Sequence, residues 1–85
     1  MSFREYRYQV QVRDCARLIA EYAADGVSEY ANTEWTNRLK KSYPMKSAHK
    51  EFNYCIQNLG RSQDIRIIDT KTGRVLDTHI PEVSA

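Results

Sequence analysis

At 85 residues the chain has room for one hydrophobic core and not for two, since either half would fall below the size that buries a useful interior. An apolar share of 41% beside a charged share of 28% excludes a disordered or low-complexity chain. No run of about 18 apolar residues is present to span a membrane. The net charge of +2 names no partner, but six basic groups face two acidic ones between residues 34 and 61, which leaves −2 for the remainder.

The chain opens on strict alternation. Tyr6, Tyr8, Val10 and Val12 fall on one side and Glu5, Arg7, Gln9, Gln11 and Arg13 on the other, which predicts a half-buried strand with the first set inward. Asp14 stands where a helix N-cap belongs, its carboxylate able to accept from the amides of a first turn. Cys15, Leu18, Ile19, Tyr22 and Ala23 follow at spacings of three and four, an apolar helical stripe that Gly26 ends or kinks. Whether Val27 to Ala31 continues that helix is left open by the pattern. Thr33 is a second N-cap candidate, and Trp35, Leu39 and Tyr43, recurring every four residues, predict a short helix, with Pro44 either stopping it or sitting at the first turn of the next. Met45, Ala48, Phe52, Cys55, Ile56 and Leu59 give the most regular helical stripe, with Gly60 as its C-terminal cap.

The last third predicts a hairpin. Ile65, Ile67 and Ile68 mark one strand and Val75, Leu76 and Ile80 the other, with Asp69-Thr70-Lys71-Thr72-Gly73 as the turn and Gly73 at its positive-φ position. Pro81 closes the strand, and residues 82–85 read as a loose tail. The predicted class is α+β: one domain over residues 1–85, a three-stranded antiparallel sheet packed on two or three helices in the order β-α-α-(α)-β-β. The first strand can pair beside either strand of the hairpin.

Catalytic chemistry is scarce. Cys15 and Cys55 fall on apolar stripes, as buried unpaired thiols do, and the charged N-terminus lacks the apolar stretch of a signal peptide, so the expected setting is cytoplasmic. A tetrahedral metal site wants closely spaced ligands, whereas a helix turns His49 and Cys55 about 240° from each other; no metal and no cofactor is expected. His49 sits on a helix shoulder and His79 is predicted to point out of the hairpin's polar face, so neither falls in a nucleophile–base pattern. Asp64, Asp69 and Asp77 lie at turns and strand ends, where aspartate bonds backbone. With no phosphate loop and no dinucleotide motif, the chain does not read as an enzyme.

The basic middle carries the functional signal. Lys46, Lys50, Asn53 and Gln57 follow one another at spacings of four, three and four, a polar, positive ridge opposite the core stripe. Arg38, Lys40 and Lys41 before it and Arg61 after it add charge, with Trp35, Tyr43 and Tyr54 alongside. Such a ridge can lie along phosphates or meet an acidic protein surface, and it can equally be the wet face that any small protein needs for solubility. Trp35 and Tyr43 are read as core. A second candidate is the sheet's outer face, with Arg7, Gln9, Gln11, Arg13 and Arg66. It lacks the exposed aromatics on which single-strand binders stack bases, unless a reversed register turned Tyr6 and Tyr8 outward. An edge strand in so small a sheet leaves a homodimer open.

One strand, helices and a terminal hairpin with Asp69, Thr72 and Gly73 at its turn, in a chain this short, resemble the small accessory proteins of phages and mobile elements, anti-CRISPR inhibitors among them. The resemblance implies a non-enzymatic inhibitor that occupies a nucleic-acid or protein-contact surface of a host complex. It transfers no residue roles, and the chain departs from inhibitors that mimic DNA, which are strongly acidic. The resulting expectation is a binding module that docks on a nucleic-acid-handling protein complex through the basic, amide-rich helix face. The alternative is a small nucleic-acid-binding protein using the same face on phosphates; no membrane is involved in either.

Overall fold

A computed structural model of the chain describes residues 5–81, so the expected loose tail at 82–85 lies outside the described residues. In chain order the elements are β1 (Tyr8–Asp14), α1 (Ala16–Ala24), a 3-10 turn (Ser28–Tyr30), β2 (Thr36–Asn37), α2 (Met45–Leu59), β3 (Gln63–Asp69) and β4 (Val75–His79). The class is α+β, but the antiparallel sheet has four strands, ordered β2-β1-β3-β4, where three were expected. β1 lies beside the first strand of the hairpin, in register from Tyr8 opposite Asp69 to Asp14 opposite Gln63.

The helix predicted around Trp35, Leu39 and Tyr43 is absent, and β2 takes part of its place. The reason lies in β1, whose outer edge would otherwise leave its backbone groups unmet. Thr36 and Asn37 pair with Val12 and Gln11, the Arg38 amide donates to the Val10 carbonyl at 2.8 Å, and Tyr8 and Tyr43 exchange bonds of 3.0 and 2.7 Å. Trp35, Thr36 and Asn37, which open this segment, are weak helix formers, and pairing with the edge outweighs the better propensity of Arg38, Leu39, Lys40 and Lys41.

The alternation does its work from Tyr8 onward. Val10 and Val12 of β1 and Ile65 and Ile67 of β3 share one face, and Ala48, Phe52 and Cys55 of α2 close over them. Tyr8, Tyr43, Ile56 and Leu59 pack around this cluster, so Tyr43 is core-associated as expected. Tyr6, expected inward, precedes β1 and is 66% exposed. A bulge opposite Ile67 and Ile68 leaves Leu76 of β4 without a cross-strand partner and lets it join the core. Both cysteines are buried and unpaired, and burial pushes the Cys55 thiol up.

Three local expectations change. Asp14 does not cap α1: Cys15 holds the cap position with no side-chain bond, while Asp14 ends β1 as a buried residue. Its Oδ2 accepts from the Asn32 amide at 2.7 Å and its Oδ1 from Gln63 Nε2 at 3.4 Å, which pins the chain where it returns from α1. His79 turns inward, where its Nε2 donates to the Gly60 carbonyl at 2.9 Å. Of the stripe predicted for this helix only Cys15, at the cap position, is buried, and none of the residues of α1 itself is.

The β3–β4 turn follows its sequence. Gly73 has φ +76° and donates its amide to the Asp69 carbonyl at 2.7 Å. The Asp69 carboxylate accepts from the Lys71 amide and from Arg7 Nε, both at 2.9 Å, and from Arg7 Nη2. The Arg7 guanidinium, more than any other group, holds the Asp69 carboxyl down to about 2. A carboxyl depressed on folding contributes stability that is full above its unfolded value, about 4, and disappears as pH falls toward 2. The wild-type urea midpoint should therefore fall between those pH values, with Glu5, also lowered by Arg7, adding to the drop. Asp69→Asn should start from a lower midpoint at neutral pH and lose less on acidification. Parallel curves for the two proteins would contradict the Arg7–Asp69 account.

Candidate functional site

With α2 laid over β1 and β3, the buried positions Ala48, Phe52 and Cys55 dictate which side of the helix meets solvent. Lys46, Lys50, Asn53 and Gln57 all lie on that side and all are exposed. At about 1.5 Å per residue they form a row of roughly 16 Å. Tyr54, 57% exposed, stands beside the row next to Lys50, and of the three aromatics placed alongside the ridge it is the one that lies on α2 itself. An exposed tyrosine among lysines and amides is the kind of side chain that anchors an interface.

The remaining basic residues frame α2. Lys40 and Lys41 are exposed in the segment leading to it, and the Lys41 ammonium lies 5.7 Å from the centre of the Tyr43 ring. Arg38 reaches the flank of α2 near Glu51 and Cys55, where its charge opposes the upward push on the thiol. Arg61 is exposed just beyond the far end of the helix, and its carbonyl accepts from Arg17 Nη2 at 3.0 Å. The four ridge residues thus share one face, Lys40 and Lys41 extend it at one end, Arg61 lies past the other, and Arg38 sits to the side. The first turn of α2 holds no acidic residue, so Lys46 adds to the partial positive charge of the helix N-terminus instead of being offset.

The outer sheet face is differently built. Arg13 Nε donates to Asp64 at 2.8 Å, Arg66 Nε to Gln11 at 2.9 Å, and Gln11 Nε2 to Asn37 at 2.9 Å. Arg7 is held by Asp69 and Glu5. An aromatic does lie here: Trp35, expected in the core, sits half-buried with the guanidinium carbons of Arg13 and Arg66 each 4.4 Å from its ring centre. These side chains bind one another and fix the 32–43 segment. Among the described residues, the ion pairs join Arg7, Arg13 and Arg17 to acids, while Arg38, Lys40, Lys41, Lys46, Lys50 and Arg61 have no carboxylate partner. Arg66, Lys71 and Arg74 also lack one, but Arg66 is held by Gln11 and Trp35, so the largest group of uncompensated cations is the one on α2 and its flanks.

Among the described residues, no group of three His, Cys, Asp or Glu side chains is placed to hold a metal ion, and no helix is long and apolar enough to cross a membrane. The chain matches no family model, no curated protein and no solved structure.

Proposed function

We propose that the chain is a non-catalytic binding module that docks through the exposed face of α2 on a protein complex that handles nucleic acid. Its specific form is that of a small phage-type inhibitor acting in the host cytoplasm by occupying a contact surface. The observation that supports this reading is the grouping of charge: Arg7, Arg13 and Arg17 are ion-paired within the fold, whereas the six cations on and around α2 are not, and they outnumber the unpaired Arg66, Lys71 and Arg74 elsewhere among the described residues. Unpaired cations beside an exposed tyrosine favour an anionic surface of the partner and speed the encounter with it.

Reversing Lys46 and Lys50 to Glu should weaken partner binding at least about tenfold, or roughly 1.4 kcal/mol. Both positions are exposed, so thermal unfolding of the variant should stay within about 0.5 kcal/mol of wild type. Undiminished binding by the folded variant would remove α2 from the site.

A second reading, direct binding of nucleic acid by the same face, is favoured by the concentration of Lys40, Lys41 and Lys46 around the positive end of α2. Salt separates the two. Affinity for labelled single-stranded DNA, duplex DNA or RNA should fall steeply with salt if phosphates are the ligand, whereas a protein interface centred on Tyr54 keeps most of its affinity. The label belongs on the ligand, because Trp35 emission reports the opposite face of the sheet.

A further inference from the structure

α1 is an amphipathic helix that the rest of the fold covers only in part. Leu18, Ile19 and Tyr22 are half-buried at most, and the helix packs chiefly on the following 3-10 turn, where Tyr30 is 71% exposed. Its C-terminus is well formed, with the Gly26 amide bonded to Ala23 at 3.1 Å and the Val27 amide to Tyr22 at 2.9 Å. Both ends of this excursion are anchored, through Cys15 to Ser62 at 3.0 Å and Asn32 to Asp14 at 2.8 Å. An anchored, hydrogen-bonded helix whose apolar side is only partly covered, beside an exposed Tyr30, is suited to meet a surface outside its own chain.

Charge selects that surface. Residues 16–34 hold Glu21, Asp25, Glu29 and Glu34 against Arg17, a net −3. Arg17 bonds Glu21 at 2.9 Å, which leaves Asp25, Glu29 and Glu34, all exposed, without a basic partner among the described residues. Residues 38–61 hold six basic groups against Glu51, a net +5. Within one chain the two regions touch at their roots, through Arg17 and the Arg61 carbonyl, and α1 forms no packed layer with α2. Each therefore presents its charge outward and offers what the other lacks.

We infer that the partner of α1 is a second copy of the chain: the acidic α1 segment of each copy lies along the basic α2 face of the other. Two-fold symmetry makes the contact twice and closes the assembly. The reciprocal arrangement also answers the size question, because a helix of nine residues buries little by itself, whereas a stable interface needs about 1,200 Å² in total. The inference rests on the α2 face being a docking surface. Its consequence is that self-association and the outside partner compete for that face.

Sedimentation velocity of the full chain, at low and at physiological salt and up to millimolar concentration, tests it. Wild type should form a dimer that weakens with salt. Asp25→Lys with Glu29→Lys should raise the dimer dissociation constant at least about tenfold, and so should Lys46→Glu with Lys50→Glu. An equimolar mixture of these two variants should dimerise again, because both contacts of the mixed dimer then join opposite charges. That recovery also excludes misfolding as the cause of the losses. A wild type that stays monomeric at low salt, or reversed variants that dimerise as well as wild type, would overturn the inference. The two proposals separate cleanly: Asp25→Lys with Glu29→Lys leaves the α2 face intact and should bind the outside partner at least as well as wild type. A monomeric wild type whose partner binding is lost with Lys46→Glu and Lys50→Glu would sink the dimer and keep the docking face. A wild type that dimerises, together with reversed variants that lose the dimer but keep partner binding unchanged, would do the reverse.

Discussion

Phe52→Ala is expected to leave the domain at or near the edge of unfolding. Phe52 is 4% exposed and stands at the centre of α2, among Val10, Val12, Ile65 and Ile67 of the two central strands. Removing a buried phenyl ring costs about 3–5 kcal/mol through lost transfer energy and the cavity that remains. A domain of this length has a total stability near the lower end of about 5–15 kcal/mol, and α1 adds no buried residue to help. Urea unfolding followed by circular dichroism should place Phe52→Leu between wild type and the alanine variant. Tyr54→Ala, two positions on and exposed, should sit within about 0.5 kcal/mol of wild type. Equal losses at positions 52 and 54 would mean that α2 does not lie on the sheet with this face inward.

Gly60→Ala carries the second large effect. The backbone here has φ −68°, which any residue adopts, so the constraint is space and not conformation. A methyl group would lie 2.3 Å from the Ile56 carbonyl oxygen and 2.9 Å from His79 Nε2. The first neighbour is helix backbone and the second belongs to the bond that ties β4 to the end of α2, so neither yields without moving an element. Overpacking of this kind costs about 1–3 kcal/mol. His79→Ala, which removes the bond but not the space, should cost about 1 kcal/mol. If Gly60→Ala proved as stable as wild type, the packing of α2 against His79 would be wrong.

What could be read from the sequence followed the range of the forces involved. The core of β1 and the whole of α2 were legible because alternation and helical spacing are local, and the same regularity placed Lys46, Lys50, Asn53 and Gln57 opposite Phe52. The turn at Gly73 was legible because a positive φ selects glycine. The 32–43 segment was not, because its shape answers to the open edge of β1, more than twenty residues away in sequence. Asp14 looked like a helix cap for the same reason: its partners Asn32 and Gln63 are distant. So are Arg7 and Asp69, separated by 62 positions. Without those pairings, the sequence shows how many cations the chain has but not which of them the fold neutralises, and that distinction separates the α2 face from the sheet face. The bulge that turns Leu76 inward and the inward His79 likewise depend on registers between strands.

The central claim is that α2, and not the outer sheet face, meets the partner. A photoreactive phenylalanine analogue placed at Tyr54, or separately at Gln9 on the sheet face, tests it in bacterial lysate with and without nuclease. Crosslinks to the chain itself are scored apart from those to other proteins. The account predicts a discrete protein adduct from position 54 that survives nuclease, disappears with Lys46→Glu and Lys50→Glu, and has no counterpart from position 9. An adduct from position 9, with position 54 silent, would contradict it and move the site to the face that holds Trp35.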